Sequence, residues 1–75
     1  MARSGPQIRN KIRELRFHRG EMSQKELAER IGVSRQTVNA IEGAKYSPSL
    51  EVAFKIAEVF EVPLEEVFRY ESGSK

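Results

Sequence analysis

Arg35, Gln36 and Asn39 fall within one short stretch, RQTVNAI, in which Val38 and Ile41 are spaced three apart. At helical periodicity the two apolar residues share an inward face, which leaves Arg35, Gln36, Asn39 and part of Ala40 facing out. The chemistry of such a face is hydrogen bonding to flat polar edges. Arginine can donate two bonds to guanine O6 and N7, and glutamine or asparagine can pair with adenine N6 and N7. Arg35 suits a guanine edge or a phosphate, while Gln36 and Asn39 suit base edges. Ala40 offers only a methyl, to a thymine methyl at most.

The residues upstream form the frame that positions this face. Ser23 can cap a helix, with Glu26 three residues on to complete a capping box. Leu27, Ala28 and Ile31 then share one side of that helix, and Gly32 follows where a left-handed backbone is needed to end it. Val33 can plug the turn, and Ser34 can cap the next helix. Ala28 is small enough for two backbones to meet at a steep angle. Together, residues 23–42 read as a helix-turn-helix motif. Phosphate contacts are expected around it: Gln24 at the free amides of a helix start, Thr37 through its hydroxyl, and Lys45, Tyr46 and Ser47 just beyond the outward-facing helix. The Tyr46 ring can alternatively pack on the core with its hydroxyl in water.

Around this motif the chain reads as all-α, with five helices in one domain. Residues 1–5 (MARSG) form an arm, from which Arg3 can reach a neighbouring groove, and residues 6–70 form the domain. Pro6 can open the first helix, in which Ile8, Ile12 and Leu15 make an apolar stripe ending near His18 or Arg19. Gly20 breaks that helix, and Gly43-Ala44 closes the motif. Ser47 as cap and Pro48 at the first position open a helix to about Phe60 whose charges, Glu51, Lys55 and Glu58, lie on one narrow stripe. That helix is expected to be buried elsewhere, as the beam of the core. After Pro63, Leu64, Val67 and Phe68 make a short fifth helix, and residues 71–75 (ESGSK) form a polar tail.

Composition bounds the function. A chain of 75 residues sits near the lower limit for folding on its own core, and without cysteine it has neither disulfides nor a thiolate zinc site. His18 is the only histidine, no aspartate occurs, and no glycine-rich phosphate loop is visible, so an enzyme and a cofactor or metal are not expected. No leader pattern or membrane-length apolar run occurs either, which points to a cytoplasmic protein. Residues 1–45 carry ten Lys or Arg against five Glu (+5), and residues 46–75 carry three against six (−3). The basic end is the one that suits a polyanion.

With these residues in view, the chain resembles the Cro and lambda-repressor type of helix-turn-helix regulator, the XRE family. IRELR (12–16), SQKELAERIGVSRQTVNAIE (23–42) and KYSPSLEVAFKIAEVF (45–60) carry the likeness, which spans about residues 8 to 69. The resemblance implies a lambda-repressor-like five-helix domain whose helix at about 35–42 enters the major groove, with the helix at 24–31 across the backbone above it. It also implies that Arg16 bonds to Glu42, fixing the first helix against the third; the alternative is two separate surface residues. Two departures stand out. Both Glu21 and Met22 separate Gly20 from Ser23, which puts contacts by Arg19 in doubt, and Glu61 stands where a helix-ending glycine is frequent.

The expected function is sequence-specific binding of double-stranded DNA as a transcriptional regulator. A repressor is favoured, because a chain of this size has room only to occupy a promoter. One recognition helix covers little surface, so a homodimer on a palindromic operator is expected, joined through the C-terminal region by Phe68, Tyr70, Val62 and Phe17. The alternative is an antitoxin or adaptor module that binds a protein partner, although an adaptor alone has no need of Arg35, Gln36 and Asn39 on one exposed face.

Overall fold

The computed structural model describes residues 8–71. The elements in order are β1 (Ile8–Asn10), α1 (Ile12–His18), α2 (Gln24–Ile31), α3 (Arg35–Glu42), α4 (Leu50–Phe60), α5 (Leu64–Val67) and β2 (Phe68–Tyr70). The five expected helices are all present. The two strands add an antiparallel ribbon that joins the ends of the domain, with Ile8 opposite Tyr70, Arg9 opposite Arg69 and Asn10 opposite Phe68. The expected arm with Arg3, the helix start at Pro6, and residues 72–75 of the tail lie outside the described residues.

The core is built from one face of each helix. Ile12, Leu27, Ile31, Val38, Ile41, Ile56, Phe60 and Val67 are the largest fully buried side chains, and α2 packs against both α3 and α4. Ala28 is buried where α2 meets its neighbours, as its size allows. Met22, one of the two residues that lengthen the loop after α1, is buried in the same cluster. The longer loop therefore supplies a core side chain and is not simply slack.

Three expectations about element boundaries need correction. Among the described residues the first helix starts at Ile12, and Ile8, expected in its apolar stripe, belongs to β1. Asn10 explains the stop: its Oδ1 accepts from the Ile12 amide at 3.1 Å, and its Nδ2 donates to the Ile41 carbonyl at 2.8 Å. The fourth helix is capped by Ser49 and not Ser47, with Ser49 Oγ accepting from the Val52 amide, so Pro48 precedes the helix. Nor is α4 buried on all sides but its charged stripe: it turns Ala53, Ile56, Ala57 and Phe60 inward, with Val52 and Val59 packed partly against the core, and leaves Leu50 and Phe54 68% and 54% exposed outside that face. The fifth helix ends at Val67, and Phe68 passes into the ribbon.

Helices α2, α3 and α4 close on the same kind of turn, and α1 is likewise followed by positive φ at Gly20 (φ 73) and Glu21 (φ 60). Gly32 (φ 77), Ala44 (φ 59) and Glu61 (φ 59) turn the chain, and the next residue's amide reaches back to the carbonyl five positions earlier. Only the first of these is glycine. At Glu61 the turn is held from outside by Arg19, whose guanidinium donates to the Phe60 carbonyl at 2.7 Å and lies 3.4 Å from the Glu61 carboxylate. Arg19 is thus occupied at the end of α4.

Candidate nucleic-acid interface

The turn between α2 and α3 is set by two serine caps. Ser23 Oγ accepts from the Glu26 amide at 2.9 Å, and Ser34 Oγ accepts from the Thr37 amide at 3.1 Å. The reciprocal half of the capping box is not made; the Glu26 carboxylate accepts from Arg30 at 2.9 Å instead. Gly32 takes the left-handed conformation between the helices, and Val33 packs against the core. These features fix α3 with Val38 and Ile41 buried and Arg35, Gln36 and Asn39 exposed, while Ala40 is half-buried.

Behind that face runs a chain of polar contacts. Arg16 donates through Nε and NH2 to the two oxygens of Glu42, and through NH1 to the Met22 carbonyl at 2.7 Å. The structure therefore brings Arg16 and Glu42 together as a forked, partly buried pair. Gln24 Nε2 donates to Glu42 Oε1 at 3.1 Å and to Asn39 Oδ1 at 3.3 Å. The side-chain amide of Gln24 is accordingly turned inward, and its main-chain N–H, at the first position of α2, is the group left for an anion. A groove beside these residues is lined by Arg13, Arg16, Gln24, Asn39, Glu42 and Gly43.

Arg13 was not picked out by sequence reasoning. The signal was available, because Arg13 lies three residues before Arg16 and so projects from the same side of α1. The remaining expected positions lie at the rim. The Thr37 hydroxyl shares a hydrogen bond with Ser34 Oγ at 3.0 Å, and Lys45, Tyr46 and Ser47 follow α3 as exposed residues. The Tyr46 ring is 52% exposed, so it is not a core side chain. Among the described residues no cluster of three histidine or acidic side chains is placed to hold a metal, and no helix is long and apolar enough to cross a membrane.

A helix-turn-helix family model matches residues 12–67, which takes in every helix of the fold. The chain belongs to this family. Its relatives agree. An uncharacterized HTH-type transcriptional regulator of Methanocaldococcus jannaschii is 50% identical over 60 residues, covering 77% of this chain and 91% of that protein. YgzD of Bacillus subtilis, also an uncharacterized HTH-type transcriptional regulator, is 49% identical over 61 residues, covering 81% and 91%. A solved structure from Bacteroides fragilis, described as a candidate DNA-binding protein, superposes with a TM-score of 0.73 at 26% identity and covers 83% of this chain and 98% of that one. The protein is thus an XRE-type helix-turn-helix transcriptional regulator that binds DNA, in a family of non-enzymes.

Proposed function

We propose that the protein is a sequence-specific repressor that acts as a homodimer on a palindromic operator in the cytoplasm. The observation that carries this reading is the outward face of α3, where Arg35, Gln36 and Asn39 stand exposed over a buried Val38 and Ile41. In the major groove Arg35, Gln36 and Asn39 address base edges. The Gln24 main-chain amide, Thr37, Lys45, Tyr46 and Ser47 hold the flanking phosphates, and Arg13 joins them from the wall of the groove. Repression is supported by the transcriptional repressor RstR of a cryptic Vibrio cholerae phage, 41% identical over 58 residues, although this chain spans only 51% of that protein.

The dimer surface we assign lies where α4 meets the ribbon. Leu50 (68% exposed), Phe54 (54%) and Tyr70 (69%) are apolar side chains left in water. Leu50 borders an apolar depression lined by Ile8, Pro48, Ala53, Leu64 and Phe68, and Tyr70 borders an adjoining one that shares Ile8, Leu64 and Phe68. Phe68 and Val62 pack partly against the core, so their share in the contact is smaller than that of Leu50 and Tyr70. Selection of bound sequences from a random duplex pool tests the reading, with Arg35→Ala and Gln36→Ala in parallel. The expected result is a palindrome with half-sites about one helical turn, roughly 34 Å, apart. Each variant should lose preference at its own position. Enrichment of nothing, with only salt-sensitive binding to any duplex, would replace this reading with a protein-binding one, the antitoxin or adaptor.

A further inference from the structure

The polar chain behind α3 has a direction. Ionised glutamate can only accept hydrogen bonds, and arginine can only donate. Glu42 is held by Arg16 on both oxygens, so the Gln24 side chain can approach Glu42 only through its NH2 group, as it does at 3.1 Å. The second hydrogen of that NH2 points to Asn39 Oδ1 at 3.3 Å. The Asn39 amide is thereby turned with its oxygen toward Gln24 and its NH2 away from it. A charge pair on α1 and α3 thus fixes, through a residue of α2, which half of the Asn39 amide is free.

We infer that Gln24 is a specificity-positioning residue, which makes Asn39 a hydrogen-bond donor toward the base it meets and biases that position to guanine over adenine. The inference rests on the proposed major-groove role of α3. An asparagine free to rotate pairs with adenine by accepting from N6 and donating to N7. With its oxygen turned toward Gln24, Asn39 presents its NH2 at the free edge, so donors are what it offers there. Guanine presents two acceptors, N7 and O6, on its major-groove edge, whereas adenine presents N7 beside the N6 donor. Asn39 NH2 satisfies the first edge and is opposed by the second.

The test is sequence selection with the full chain and the variants Gln24→Met, Gln24→Ala and Asn39→Ala. The position read by Asn39 is identified as the column whose preference disappears in Asn39→Ala. In the unaltered protein that column should be guanine. In Gln24→Met, which keeps the length of the side chain without the NH2, the ratio of adenine to guanine there should rise about tenfold. The columns assigned to Arg35 and Gln36 should be unchanged. Gln24→Ala repeats the measurement with a side chain too small to crowd the site. A role for Gln24 in stability alone would weaken every column alike, and that outcome overturns the inference. So does an adenine column in the unaltered protein, or a guanine column that persists in both Gln24 variants. If the unaltered protein enriches no sequence, the DNA-reading role itself fails, an outcome separate from these.

Discussion

Replacing Arg16 with alanine removes three hydrogen bonds at once, two to Glu42 and one to the Met22 carbonyl. It also leaves Glu42, whose side chain is only 9% exposed, without its counter-charge. A hydrogen bond to a charged group contributes about 1.5–3 kcal/mol, and loss of one partner from a buried pair costs about 3–5 kcal/mol. Two features soften the loss here: Arg16 keeps 15% exposure, and Gln24 continues to donate to Glu42 at 3.1 Å. We therefore expect a destabilisation of about 2–3 kcal/mol, which for a domain of this size lowers Tm by about 10–20 °C. Arg13→Ala, one helical turn away on the exposed surface, should change stability by no more than about 0.5 kcal/mol. Thermal and urea melts of both variants provide the comparison. A double-mutant cycle with Glu42→Gln should return a coupling of at least about 1 kcal/mol. Equal losses from Arg16→Ala and Arg13→Ala, or a coupling near zero, would refute the claim that this pair fastens α1 to α3.

Gly32→Ala should cost about 1 kcal/mol although the added Cβ would meet nothing within 4 Å, because the cost is the left-handed backbone itself (φ 77). Glu61→Gly should change stability in the other direction, by about 0.5–1 kcal/mol, since it relieves the same strain at φ 59 and gives up only an exposed ion pair; urea melts read both. Asn10→Ala removes the bonds to the Ile12 amide and the Ile41 carbonyl and should cost about 1–2 kcal/mol, whereas Asn10→Asp keeps the first but sets a carboxylate oxygen against the Ile41 carbonyl and should cost at least as much. Leu50→Lys combined with Phe54→Lys should shift the oligomer toward monomer in sedimentation velocity while leaving the monomer's stability within about 0.5 kcal/mol, because both side chains are exposed.

The motif was legible because its signals are local. Ser23, Gly32 and Ser34 act within a few residues of themselves, and the structure places their caps and the left-handed turn at the expected positions. The apolar spacing of Val38 and Ile41 likewise determines which side of α3 is buried without reference to the rest of the chain. What escaped depends on residues distant in sequence. Ile8 continues a helical spacing with Ile12 and Leu15, yet Phe68–Tyr70 recruits it into a ribbon, and no periodicity within residues 8–15 signals that partner. Asn10 stops the first helix through a bond to Ile41, thirty-one positions away. Leu50 and Phe54 carry the apolar pattern of a buried beam, but the face that α4 buries, through Ala53, Ile56, Ala57 and Phe60 with Val52 and Val59 at its edges, does not extend to them. Individual site residues were legible as types. The polar chain from Arg16 through Glu42 and Gln24 to Asn39 was not, because it forms only once three helices are in place.

The central claim, that the exposed face of α3 reads sequence, is tested most directly by a ratio of affinities. The Kd for the selected operator is measured against that for a scrambled duplex at one fixed salt concentration, with the unaltered protein and with Arg35, Gln36 and Asn39 all replaced by alanine. The unaltered protein should prefer the operator by at least about a thousandfold. In the triple variant that preference should fall toward unity, while the salt dependence set by the phosphate contacts changes by no more than Arg35's own contribution. A preference that survives the triple substitution would refute a reading role for α3 and place sequence recognition elsewhere on the molecule.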